Sequence, residues 1–315
     1  MFQKDIFLSG YSSYKIGGKA KYFYEAKGLN DLLQAVELAK KKSLAVFVLG
    51  GGTNLLIDDN GFDGLVLKPN IKFIQKDEIM NNELGIRVMV GAGILASDLL
   101  NFCIDHSLSG LEWAGGLPGT IGGAIRGNAG AFGGEIKDSI KEVISLDINN
   151  QRLIKRNNNQ CEFSYRNSIF KQVKKPVEII ISATFNLILS DQNKIKTAIE
   201  EKIYYRHQKH PMEYPNIGST FKNINLELVP KKYQEKFAHK IKKDPMSVLP
   251  TAVLIDQCNL RGVSFGGAMI SPKHPNFIVN ALGATASDVK KLIELMKAKV
   301  KSEYDIDLEE EVQSI

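Results

Sequence analysis

The sequence predicts a mixed α and β protein of two or three domains, outside the simple Rossmann and P-loop classes. Three observations carry this. At 315 residues the chain is too long for one domain, on a prior of about 150 residues each. Short apolar runs of strand length alternate with segments whose apolar residues recur at helical spacing. Two glycine-rich stretches, residues 50–54 and 115–134, look built for an anion but match neither dinucleotide nor P-loop fingerprint. Leu55 stands where GxGxxG counted from Gly50 needs its last glycine, and GxxxxGK[ST] occurs nowhere.

Composition narrows the partners. With 43% hydrophobic and 24% charged residues the chain can bury a sizeable core. The net charge of +6 is moderate, and much of it sits in clusters such as Lys40-Lys41-Lys42 and the lysines of 240–243, which read as solvated helix faces. No basic stripe with interleaved aromatics is visible, so nucleic acid is not an expected partner, whereas an anionic small molecule is. Cys103, Cys161 and Cys258 are far apart and form no CxxC or metal spacing, which points to a reducing compartment and no metal centre. Residues 1–18 show no secretory h-region, and no apolar run approaches the ~18–20 residues of a membrane span. A cytoplasmic protein without a membrane partner is expected.

The elements follow in order. Residues 12–24 read as an extended lead-in with a turn at Gly17-Gly18. Asn30 is the expected N-cap of a helix carrying Leu32, Leu33, Val36 and Ala39 on one face. Residues 45–49 are a buried strand running into Gly50-Gly51-Gly52-Thr53-Asn54. Leu55-Leu56-Ile57 is a strand ended by Asp58-Asp59-Asn60-Gly61, and 64–68 is another. Strands are expected at 85–90, 143–147 and 177–189, and a helix at 97–107, with the polar-aromatic run 163–168 on a loop. A helix at 195–207 is stopped by His210-Pro211, and the main domain boundary falls near 190–205. The second domain runs through 253–256, 262–270 and 276–280. It closes on a helix capped by Thr285 or Ser287, with Val289, Leu292, Ile293, Met296, Val300 and Tyr304 in the core.

Residues 115–134, GGLPGTIGGAIRGNAGAFGG, are the centre of the functional reading. Nine of the twenty are glycine, and Leu117, Ile121, Ile125 and Phe132 are interleaved as in no flexible linker. Successive backbone N–H groups make anion-binding concavities, so two such turns converging on one pyrophosphate suit a dinucleotide such as FAD. Elsewhere, Arg166 on its loop is as well read as a solvated charge as a functional one. Ser219, Lys222 and Asn223 stand close together beside Gly218, and Glu309-Glu310-Glu311 resembles an ordinary solvated terminus.

These stretches, taken together, resemble the UDP-N-acetylenolpyruvoylglucosamine reductase family. The likeness runs through Tyr14-Lys15-Ile16-Gly17-Gly18, LGGGTNLL at 49–56, GLPGTIGGAIRGNAGAFGGEI at 116–136 and Tyr165-Arg166-Asn167-Ser168. It continues through Gly218-Ser219-Thr220-Phe221-Lys222-Asn223, SPKHPNF at 271–277 and residues 308–312, seven motifs in family order. The resemblance implies an α+β architecture: a vanillyl-alcohol-oxidase/PCMH-type FAD-binding domain over 1–200, with subdomains at about 1–70 and 71–200, and a substrate-binding domain over 201–315. It implies non-covalent FAD, NADPH as hydride donor, and UDP-N-acetylglucosamine enolpyruvate as the substrate reduced. The family's catalytic groups map onto Arg166, Ser219 and Glu311. Cofactor contacts map onto Gly50, Gly51, Gly52, Thr53, Asn54, Leu55, Gly116, Pro118, Gly119, Thr120, Gly122, Gly123, Asn128 and Gly130, and substrate contacts onto Tyr165, Lys222 and Asn223.

The short separation of Arg166 and Ser219 resembles the branch without an extra tyrosine-bearing loop. The chain departs from the family pattern in a long segment at 224–250, in Arg126 where an apolar residue is common, and in Pro275 where a small one is common. An oxygen-using flavin oxidase of the same fold, or a silent flavin or nucleotide-sugar binding module, are the alternatives. The oxidase reading is weakened because no His or Cys stands in either glycine stretch to tether a flavin.

Overall fold

The computed structural model describes residues 2–77, 85–171, 178–243 and 246–315. It divides into two compact units, each discontinuous in sequence. The first is Met1–Ile6, Ala20–Gly51 and Phe62–Tyr205; the second is Phe7–Lys19, Gly52–Gly61 and Arg206–Ile315.

In the first unit the strands Lys19–Ala26, Phe62–Pro69 and Val46–Val48 pair in parallel. Parallel strands need a crossover, and the helix Leu29–Lys41 supplies it, burying Leu32, Ala35, Val36 and Ala39 at the spacing of a single face. The helix starts earlier than the cap predicted at Asn30. The Asp31 carboxylate accepts from the Lys27 amide at 2.8 Å, which begins the turn at Leu29 with Gly28 as the extended cap.

A second, antiparallel sheet runs Arg152–Asn157, Ile140–Asp147, Glu178–Leu189, Ile86–Gly91 and Ile74–Lys76. Val177, the first residue of the predicted long strand, lies outside the described residues. The central strand Glu178–Leu189 is buried on both faces because it serves two cores. Ile179 and Ile181 join Leu65, Leu67 and the helix Leu29–Lys41 in one. Ile180, Ala183, Phe185 and Leu187 join Val88, Leu99 and Ile125 in the other. A register slip opposite Ile144 and Ser145 lets the side-chain phase change along the strand.

The helix Ala286–Tyr304 is the spine of the second unit, burying the six predicted residues Val289, Leu292, Ile293, Met296, Val300 and Tyr304. Thr285 is its cap: Thr285 Oγ1 accepts from the Asp288 amide at 3.1 Å, and Asp288 Oδ2 accepts from the Thr285 amide at 3.0 Å. Asp59 accepts from the amides of Ala286 and Ser287 at 2.7 and 3.0 Å, so the first turn is satisfied from a segment more than two hundred residues away. Tyr14 is equally long-range: its hydroxyl donates to Ile278 O at 2.9 Å, and Asn280 Nδ2 donates to Tyr14 O at 3.0 Å. The long segment after Asn223 is a small excursion opened by Ile224–Asn225 and closed by Val248–Leu249, which pair with each other. It carries the helix Lys231–Lys236, and its lysines at 240, 242 and 243 are exposed; residues 244–245 lie outside the described residues.

His210 and His274 meet edge to face in this unit, 5.5 Å between ring centroids, and both pack on Phe277. Burial pushes both imidazoles down to about 4; His274, Arg206, Lys273 and Lys242 add to this at His210, and Arg261 and Lys242 at His274. An unfolded histidine titrates near ~6.5. The stability held by the neutral pair is therefore complete above that pH and is lost as pH falls toward 4. Urea unfolding at pH 7 and pH 5 is expected to show a loss in the wild-type protein that His274→Gln reduces. Parallel pH dependence in the two proteins would refute a neutral pair.

Candidate active site

In the first unit the two glycine turns meet backbone to backbone. A Cβ on Gly51 would lie 2.6 Å from Gly119 Cα and 3.1 Å from Thr120 N, and one on Gly50 would lie 3.2 Å from Thr120 Oγ1. Among the described residues, the amides of Gly50, Gly51, Gly119 and Thr120 donate no hydrogen bond within the protein. Gly116 and Gly119 have positive φ, +69° and +100°. Within the glycine stretch Thr120 caps a short helix, Ile121–Arg126, its Oγ1 accepting from the Gly123 amide at 3.4 Å. Gly122 packs on Ala92, where its amide bonds to Ala92 O at 2.9 Å. Gly116, Pro118 and Gly123 are exposed. A cradle of closely approached backbone with amides to offer fits the pyrophosphate of a dinucleotide.

Arg166 stands on a closed turn in the same unit. Ser164 and Asn167 exchange backbone bonds at 3.1 and 3.0 Å, and Arg166 sits at φ +55°. The turn is tied to the glycine stretch. Asn128, fully buried, donates from Nδ2 to Ser164 O at 2.9 Å while its Oδ1 accepts from the Lys137 amide at 3.3 Å. Ser168 Oγ donates to Arg126 O at 2.8 Å. Asn128 thus spends its amide joining the two segments. A Cβ on Gly130 would lie 3.3 Å from Arg166 Nη1 and 2.9 Å from Glu135 Cγ, so glycine there leaves the guanidinium its room. The Arg166 guanidinium carbon is 5.4 Å from the Tyr165 ring centroid. Burial lowers the pKa of Arg126, the family departure at the end of the short helix.

The second unit brings Ser219 and Glu311 onto adjoining segments. Phe221 and Glu310 form an antiparallel bridge, with Glu311 N bonded to Thr220 O and Lys222 N to Glu309 O, each at 2.9 Å. Ser219 and Glu311 are both half-buried. The three terminal acids divide their work: Glu309 pairs with Lys222 and Glu310 with Lys297, while Glu311 carries the backbone link to Thr220.

Gly52, Thr53, Asn54 and Leu55 also belong to this unit. Asn54 Nδ2 donates to Glu311 O at 3.0 Å, and Leu55–Leu56 pairs in parallel with Gln313–Ser314. Asn223 Oδ1 accepts from the Thr251 amide at 3.4 Å, and Thr251 Oγ1 donates to Lys222 O at 2.5 Å. Neither Thr251 nor Asn276, which holds the Phe221 backbone from the other side, is assigned a role by the sequence reading; each reads locally as a cap or turn residue.

The first part of the chain, residues 20–149, matches the family model described as an FAD binding domain. Residues 210–315 match the model for the C-terminal domain of UDP-N-acetylenolpyruvoylglucosamine reductase. The reductase of Lachnoclostridium phytofermentans is 38% identical over 98% of this chain and 91% of its own length. That of Lactobacillus gasseri is 37% identical over 99% and 93%. The crystal structure of the Thermus caldophilus reductase superposes over 100% of this chain and 99% of its own, with a TM-score of 0.76 at 27% identity.

An arginine held at positive φ is strained by about 1–2 kcal/mol, and here the closed turn between Ser164 and Asn167 requires it. Arg166→Gly is therefore expected to raise the urea midpoint. A lowered midpoint would mean that the arginine is kept for its packing.

Proposed function

The chain belongs to the UDP-N-acetylenolpyruvoylglucosamine reductase family, and from that premise we propose how its residues divide the reaction. The enzyme is an FAD-containing oxidoreductase that reduces the enolpyruvyl group of UDP-N-acetylglucosamine enolpyruvate with NADPH. The product is the lactyl ether of UDP-N-acetylmuramate, a peptidoglycan precursor. Neither an oxygen-using oxidase nor a silent binding module is favoured by these relatives. Among the described residues no helix is long and apolar enough to cross a membrane. We place the protein in the bacterial cytoplasm, where UDP-sugars and NADPH are found.

We assign the flavin to residues 1–200 and the nucleotide-sugar to 201–315. Gly50, Gly51, Gly119 and Thr120 would hold the FAD pyrophosphate through their amides, with Gly116, Pro118, Gly122, Gly123 and Gly130 shaping the approach. Gly52, Thr53, Asn54 and Leu55 complete the first turn. When bound, FAD carries the hydride from NADPH to the substrate's terminal carbon.

Hydride addition to an electron-rich enol ether needs the adjacent carboxylate to accept the developing charge. Arg166, permanently cationic and planar, grips that carboxylate through two N–H groups. The inner carbon must then gain a proton, and Ser219 delivers it. Glu311 orients the proton or a water there. Lys222, paired with Glu309, and Asn223, with Tyr165, serve the diphosphate and sugar. The observation that best supports this division is the backbone ladder setting Ser219 beside the segment of Glu311.

Lysine at 166 keeps the charge and loses the fork. Arg166→Lys is expected to lower turnover by roughly 100–1000-fold, nearly as much as Arg166→Ala. Steady-state kinetics giving near-normal turnover for the lysine variant would return Arg166 to a solvated charge. Ser219→Ala should leave flavin reduction by NADPH close to wild type and slow the substrate-reducing step by about 100-fold or more. Anaerobic stopped-flow at the flavin absorbance separates the two, and equal slowing of both would remove Ser219 from proton delivery.

A further inference from the structure

The motif SPKHPNF at 271–277 has no part in the reaction as described above, yet it holds the loop that carries Ser219. In the bridge between Phe221 and Glu310, the bonds to the C-terminal segment are made by Thr220 O and Lys222 N. The N–H and C=O of Phe221 itself therefore point the other way, as alternate residues of a ladder must. Phe221 is fully buried, so water does not serve them. Asn276 does. Its Oδ1 accepts from the Phe221 amide at 3.1 Å, and its Nδ2 donates to Phe221 O at 2.8 Å. Its own backbone carbonyl accepts from the Thr220 amide at 2.7 Å. One residue thus takes the place of a missing strand beside the two residues that follow Ser219.

Asn276 is itself firmly held, with only 2% of its surface exposed. Ser271 Oγ accepts from the amides of Lys273 and His274 at 3.1 and 3.2 Å. Ser271 N bonds to Phe277 O, and Phe277 N to His274 O, at 2.8 and 3.0 Å. Pro275 fixes φ immediately before the asparagine. Asparagine suits the place because its short amide offers one donor and one acceptor in a plane. Aspartate would set a lone pair against Phe221 O, and an apolar residue would leave two buried backbone groups unmet.

We propose that Asn276 is a positioning residue for proton delivery, fixing the Ser219 hydroxyl by clamping Thr220 and Phe221 from the side opposite Glu311. This rests on Ser219 being the proton donor.

The full-length FAD-loaded enzyme tests the proposal with Asn276→Ser and Asn276→Asp. Amide exchange across residues 219–222 is expected to quicken by roughly ten- to a hundredfold in Asn276→Ser, the range that one or two lost buried hydrogen bonds gives. In anaerobic stopped-flow the NADPH step should stay within about twofold of wild type. The substrate-reducing step should slow by about 100-fold, as misplacement by an ångström does. In a Ser219→Ala background Asn276→Ser should add no further loss.

Asn276→Asp gives an independent reading. Only its protonated acid can donate to Phe221 O, so its substrate-reducing step should be fastest at low pH and fall as pH rises, unlike that of the wild type. It serves alone if Asn276→Ser fails to fold. Equal slowing of both steps, an additive loss with Ser219→Ala, or a wild-type pH profile in Asn276→Asp would each overturn the proposal. If Ser219→Ala alone leaves the second step intact, the proton-donor assignment fails instead, and amide exchange still reports whether the clamp exists.

Discussion

A backbone amide buried away from water has to find an acceptor, and in the second unit that requirement decides where the segments of Ser219 and Glu311 stand. Residues 220–222 lie between the C-terminal segment on one side and Asn276 on the other, and every polar group of Phe221 is used. The loop that carries Ser219 is thereby held through the backbone of the residues after it, beside the segment of Glu311. Lys222 and Glu309 neutralise one another beside them, and Lys297 takes Glu310. The arrangement keeps a run of three carboxylates from acting as one block of charge.

The first unit solves a similar problem with glycine. The contact between Gly51 and Gly119 is close enough that any side chain on Gly51 would have to displace backbone. The same stretch, through Asn128 and the carbonyl of Arg126, holds the turn that carries Arg166. Cradle and cationic side chain are therefore one mechanical piece, and a shift in one moves the other. The positive φ of Arg166 belongs to that construction, since an extended residue there would open the Ser164–Asn167 pair.

Much of this was legible where the signal is periodic. The helices Leu29–Lys41 and Ala286–Tyr304 follow from their apolar spacing, and a cap at Thr285 or Ser287 was visible as a residue choice that the structure resolves to Thr285. The family motifs made Arg166, Ser219 and Glu311 candidates before any geometry. Other features left no local trace. The short helix Ile121–Arg126 lies in a stretch whose glycines argue against helix, and Thr120 capping and the seat of Gly122 on Ala92 override propensity. The phase change in Glu178–Leu189 depends on a register slip against a neighbouring strand. Asn276 looks like a turn residue after proline, and only the direction of the Phe221 amide reveals its use. The bonds of Tyr14 to Ile278 and Asn280 join residues 264 and 266 positions apart, a distance at which sequence pattern is silent.

Those long-range bonds bear on how the protein could be taken apart. The second unit recruits 7–19 and 52–61 from the far end of the chain. A fragment beginning at Arg206 would lack Tyr14, Ile16 and Leu56 from its core, Asp59 from the first turn of its main helix, and the parallel partner of its last strand. It would present an unfilled core and a helix that keeps its Thr285 cap but leaves the amides of Ala286 and Ser287 without their acceptor. The C-terminal half is therefore a poor candidate for transfer between proteins as a contiguous cassette. A chimera that respects the fold has to carry three pieces of chain together, and recombination within the first sixty residues disturbs the architecture that supports Ser219 as surely as a cut beside it.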